Sequence, residues 1–185
     1  IISIDLASPK VDELMNNDNK IIYYSISESF PKYLKVIYNF KNKNLLYNAL
    51  SHSSYANEKK GSITSNERLE FLGDSVLSII VSEYIYQSFP NLPEGRLTKL
   101  RASLVCEQTL CSFSKQLGVG DCLLLGKGEK ANGGDERPSI LADAFEALIA
   151  AIYLDGGMDA AKGFVLKYID EAVRKHRGFK DHKTV

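Results

Sequence analysis

Residues 140–154 read ILADAFEALIAAIYL, and their only charged side chains are Asp143 and Glu146, three positions apart. The stretch has helical length and is apolar on almost every face, so it is expected to be a helix that its neighbours bury. Spacing of three puts the two acids on one side of it, about one turn apart. Burying unpartnered carboxylates is costly unless they are protonated, paired with cations or bound to metal. No Lys or Arg lies within the stretch to pair with them.

Working outward, the next acids at helical spacing are Glu67, Glu70 and Asp74, three and four positions apart. They lie on a long helix expected from Asn66, its N-cap, to Gln87, stopped by the turn FPNLP at 89–93. At about 100° per residue they fall within roughly 60° of arc and repel one another. Phe71 and Leu77 flank this strip, so it is not a broad solvated face of alternating acids and lysines. Bringing the two acidic strips face to face around divalent ions would relieve both. All-oxygen ligands favour Mg²⁺, with Mn²⁺ able to substitute, over zinc. Such a site suits phosphodiester hydrolysis by metal-activated water. Pattern alone leaves another arrangement open, in which Asp143 answers a helix dipole and Glu67, Glu70 and Asp74 form surface pairs with Arg68 or distant cations.

The remaining pattern is helical. Leu34, Ile37 and Tyr38, then Leu45, Leu46 and Leu50, read as two short helices from Pro31. Helices are expected over about 94–105 and 107–117, then a glycine-rich loop from Gly126 to Pro138. Two more run from about Ser139 to Leu154 and from Asp159 to Lys175, parted by Gly156 and Gly157. No segment makes a convincing strand ladder, so the fold class is all-α.

Composition excludes little by itself. With 23 basic and 23 acidic side chains the net charge is zero, so a polyanionic partner has to be argued from local charge. Cys106, Cys111 and Cys122 sit among apolar residues without metal-ligand spacing and read as reduced thiols. His52, His176 and His182 supply no Glu-x-x-His pair for a helical di-iron site, and zinc-hydrolase and phosphate-loop motifs are absent. No apolar run approaches the roughly 18 residues of a membrane span, and no signal-peptide order is present. A cytoplasmic protein without membrane contact is expected.

NERLEFLGDSVL at 66–77 resembles the signature of the ribonuclease III family. The resemblance runs from about Tyr33 to Lys175, through SHSSYANE at 51–58, PEGRLTKLRASLV at 93–105 and the 126–157 stretch that ends in ILADAFEALIAAIYLDGG. It implies an all-helical, bacterial-type endonuclease domain with metal bound by Glu70, Asp74, Asp143 and Glu146. Asp74 and Glu146 are then the positions closest to catalysis, with Glu67 and Glu94 as secondary acids. It also implies a homodimer in which Phe71 enters a pocket of the partner. Each subunit would cut one strand of double-stranded RNA in a staggered pair of cuts, leaving 5′-phosphate and 3′-hydroxyl ends, in the processing of ribosomal and messenger RNA. Candidate RNA contacts are His52, Ser53, Ser54 and Asn57, then Arg96, Lys99 and Arg101, then Lys127, Lys130 and Arg137.

On this reading residues 31–176 form the nuclease domain, and 1–30 are an extension without an assigned role. Residues 177–185 begin a linker toward a double-stranded-RNA-binding domain that bacterial relatives usually carry. Starting at Ile1 and ending on a basic run, the chain is expected to be a fragment of a longer protein.

Overall fold

A computed structural model describes residues 38–60 and 63–181, with side chains through Arg174. The extension 1–30, the start of the first expected helix and residues 182–185 lie outside the described residues. Among the described residues seven α-helices follow in order: α1 (Lys43–Ala49), α2 (Ser53–Glu58), α3 (Glu67–Ser88), α4 (Glu94–Leu104), α5 (Glu107–Leu117), α6 (Lys127–Ala131) and α7 (Pro138–Asp181), with a short 3-10 turn at Gly120–Cys122 between α5 and α6. Among the described residues there is no strand, only an isolated bridge between Ser51 and Leu124. The all-α expectation is met. No helix among them is long and apolar enough to cross a membrane.

The 140–154 stretch is the centre of the molecule, as its composition requires. Leu141, Ala144, Phe145, Ala147, Ile149 and Ala150 are essentially inaccessible to solvent. Leu77, Ile80 and Val81 of α3 pack against it, as do Leu110 and Phe113 of α5. Phe145 is ringed by Phe113, Phe164 and Tyr168 at centroid separations of 5.4–5.6 Å. That spacing suits tilted and edge-on aromatic packing. Gly157, at φ 81°, breaks α7 where two helices were expected. Its conformation is one that L side chains rarely adopt.

Asp155 holds the non-helical segment before α1 by accepting the Lys41 and Asn42 N–H groups at 2.8 Å each. Three local expectations change. Asn66 does precede α3, but its side chain makes no cap bond and donates to the Ala49 carbonyl at 3.3 Å. The glycine-rich loop contains the short helix α6. The last helix runs past Lys175 to Asp181, because no proline or strong breaker ends it. The cysteines are free, as expected, with Cys111 and Cys122 buried and Cys106 half-buried. Burial pushes the Cys122 thiol up to about 12.

Candidate metal centre

The acids of α3 and α7 meet where the two helices pack. Gly73, one turn along from Glu70 and next to Asp74, lies against the backbone of Glu146 with no room for a Cβ. That approach brings one carboxylate oxygen each from Glu70, Asp143 and Glu146 within 4.8 Å of one another. Asp74 stands at the exposed edge of the group and is close enough to raise the Glu146 and Glu70 carboxyls electrostatically. The other three are half-buried. Among the described residues none of the four is ion-paired with Lys or Arg.

The electrostatics record the crowding. Burial, then the charges of Asp74, Asp143 and Glu70, push Glu146 up to about 8. Burial, then Asp143, Glu67 and Asp74, raise Glu70. Asp143 is raised by burial and by Glu107, with His52 acting the other way. A set of like charges this close, without a protein cation, is the donor set a hard divalent cation fits.

Glu107, the first residue of α5, was not anticipated. Nothing in its local sequence marks it, since only the packing of α5 on α7 brings it toward Asp143. The secondary acids divide. Glu67 is exposed, accepts the Ser65 hydroxyl at 2.8 Å and couples to Glu70. Glu94 begins α4, where it accepts the Thr98 hydroxyl at 2.7 Å.

The candidate RNA contacts fall into three places. His52, Ser53, Ser54 and Asn57 belong to the cap and body of α2. The loop bearing Lys127, Lys130 and Arg137 is fastened to them: Gly126 N–H donates to Ser54 Oγ at 2.9 Å and Lys127 N–H to Glu58 Oε1 at 2.7 Å. Arg137 also pairs with Glu129 at 2.8 Å. Arg96 and Lys99 are exposed on α4. Arg101 turns toward α3, donating to Ser82 Oγ at 3.1 Å.

A second face of α3 is apolar and exposed. Phe71, Ile79 and Tyr86 are 78%, 59% and 72% exposed. They share one side of the helix, rotated roughly 110° from the acidic strip. Beside them a groove of about 600 Å³ is lined by Ile79, Tyr86, Leu97, Arg101 and Met158.

Comparison with known proteins agrees with this architecture. A family model described as Ribonuclease-III-like matches residues 42–172. A protein named Ribonuclease 3 from Caldanaerobacter subterraneus subsp. tengcongensis is 51% identical over 153 residues, covering 81% of this chain and 67% of that protein. One of the same name from Geobacillus kaustophilus is 51% identical over 147 residues, covering 77% and 60%. The chain thus spans about two thirds or less of the length of these relatives. Among solved structures, the nuclease domain of ribonuclease III from Campylobacter jejuni aligns at TM-score 0.70 and 44% identity, covering 76% of this chain and 96% of that one. That work describes flexibility in a region involved in dimer formation. Dicer from Pichia stipitis aligns at TM-score 0.55 and 32% identity, covering 74% and 58%.

Proposed function

The chain belongs to the ribonuclease III family, and from that premise we propose that it is an endoribonuclease hydrolysing phosphodiester bonds of double-stranded RNA. The observation that carries this reading is the convergence of Glu70, Asp143 and Glu146, with Asp74 at their edge and no protein cation paired to them.

In this reading Glu70, Asp74, Asp143 and Glu146 hold Mg²⁺, with Mn²⁺ able to substitute. The bound ion supplies activation of water and charge neutralisation at the scissile phosphate. The side chains do the rest. Asp74, exposed, forms the side of the site open to substrate, and Glu146 forms the sheltered side. Burial and the neighbouring acids push the Glu146 carboxyl up to about 8, so binding of a cation there would favour its deprotonated form. The hydrolysis leaves 5′-phosphate and 3′-hydroxyl ends.

Duplex RNA is read by shape, through phosphates and 2′-hydroxyls across its shallow groove. The fastened unit of α2 and the 126–137 loop, with Arg96 and Lys99 on α4, supplies hydroxyls and cations for that purpose. Phe71, Ile79 and Tyr86 with the adjoining groove form the homodimer face. Because acids and apolar face lie on neighbouring sides of one helix, dimerisation sets two cutting sites along a shared duplex and staggers the cuts. Processing of ribosomal and messenger RNA precursors is the corresponding cellular role.

End mapping tests the proposal. A labelled duplex incubated with Mg²⁺ should yield staggered products with 5′-phosphates, while the same strands unpaired remain whole. Equal cutting of both forms, or none of either at low salt, would contradict it.

A further inference from the structure

Gly126, the N-cap of α6, has no side chain with which to cap that helix, and the cap comes from α2 instead. Gly126 N–H donates to Ser54 Oγ at 2.9 Å and Lys127 N–H to Glu58 Oε1 at 2.7 Å. Ser54 and Glu58 are four positions apart on α2, so they share one face of it, a turn from each other. The backbone prepares this approach: Leu124 N–H donates to the Leu50 carbonyl at 2.9 Å, and His52 N–H to the Leu124 carbonyl at 3.1 Å.

With five residues, α6 is far too short to persist by its own hydrogen bonds, so its placement is set by what holds it. Arg137 of the same loop is taken up by Glu129, at 2.8 Å. Lys127 and Lys130 are exposed and, among the described residues, form no ion pair, which leaves their charge for an anionic partner. An exposed carboxylate beside such lysines would ordinarily only repel a polyanion. Glu58 differs because its Oε1 is bonded to the backbone that carries Lys127, and a hydrogen bond to an ionised acceptor is among the stronger kinds.

Resting on the duplex-RNA reading above, we propose that Glu58 is a positioning residue for substrate binding, holding α6 by its first amide so that Lys127 and Lys130 meet phosphates of the duplex. An acid thereby strengthens the binding of a polyanion.

Glu58 is exposed, so its variants keep the core intact. Hydrogen exchange tests the contact without RNA. The Lys127 amide should exchange at least about 10-fold faster in Glu58→Ala, and near the wild-type rate in Glu58→Gln, whose Oε1 still accepts. Equal exchange in all three proteins would overturn the role. Duplex binding in Ca²⁺ then gives the sign. Glu58→Ala removes a negative charge, yet it should weaken binding about 5- to 10-fold and make it less dependent on salt, while Glu58→Gln binds at least as well as wild type. Tighter binding by Glu58→Ala would reduce Glu58 to a repelling charge and contradict the proposal. In a protein already carrying Lys127→Ala and Lys130→Ala, adding Glu58→Ala should change binding by less than about twofold, and a full loss there would place its effect elsewhere. Single-turnover cleavage in Mg²⁺ at saturating enzyme should stay within about twofold of wild type, and a larger fall would move Glu58 from binding to the chemical step. A wild-type protein that neither binds nor cuts duplex RNA would sink the underlying reading while leaving the exchange result standing.

Discussion

Gly73 of α3 faces the carbonyl oxygen of Glu146 of α7 so closely that a Cβ on Gly73 would overlap it. The same approach that packs the two central helices thereby aligns Glu70 and Asp74 with Asp143 and Glu146. An alanine in place of glycine within a helix ordinarily stabilises by about 0.5–1 kcal/mol. Here backbone overlap dominates, and Gly73→Ala is expected to cost about 2 kcal/mol net. Chemical denaturation checks the loss, and weakened Mn²⁺ binding by the folded variant checks the link to the site.

The acidic site should make the metal-free protein less stable as pH rises. Glu146 is raised from near 4.5 to about 8, so across that window the native state holds a proton that the unfolded chain has released. Stability is full below the lower value and is lost as pH climbs through the upper one. Thermal melts from pH 5 to 8 should show the decline, flattened in Glu146→Gln. Calorimetry in buffers of different ionisation enthalpy should show proton release on Mg²⁺ binding at pH 7, whereas uptake would contradict the raised carboxyls.

The apolar side of α3 should govern assembly. Phe71 is 78% exposed, so Phe71→Asp removes no core packing and the monomer should keep its fold. Sedimentation should show a dimer for wild type and a shift to monomer for the variant. Melting temperatures lowered in step with dissociation would be expected, but an unchanged dimer would remove this face from the interface.

Asp155 holds residues 41–42 to the end of the first half of α7. Burial works to raise its carboxyl, but the Lys41 and Asn42 N–H groups and the Tyr38 hydroxyl hold it below its ordinary value. This contribution is present above the ordinary carboxylate range and is lost as pH falls through the lowered value. Asp155→Ala should cost about 1 kcal/mol, read as a lower melting temperature at pH 7 that converges with wild type in acid. Cleavage at temperatures where both are folded should be unaffected.

Asp143 and Glu146 stood out because they are the only charges in a 15-residue stretch otherwise built for burial, but pattern alone left surface pairing open, and the resemblance at 66–77 selected the metal reading. The long α3 and the break at Gly157 follow from periodicity and punctuation that act locally. What was hidden depends on tertiary contact. Glu107 reaches the site only through the packing of α5 on α7, and α2 and α6 are too short to show a period. Asn66 stands at the expected start of α3, yet its side chain is drawn to Ala49, a contact no local rule announces. The exposure of Phe71 was equally unreadable from pattern, since an aromatic inside a helical run is ordinarily core.

The account rests on Glu146 as a metal-holding carboxylate rather than a structural one, and a single comparison tests it. Wild type and Glu146→Gln are assayed on one duplex RNA, for cleavage in Mg²⁺ and for binding in Ca²⁺. The account predicts a cleavage rate reduced at least about 1,000-fold, the scale of an essential catalytic group, with duplex binding largely retained. A variant that still cuts near the wild-type rate, or one that loses binding and cleavage together while remaining folded, would contradict it.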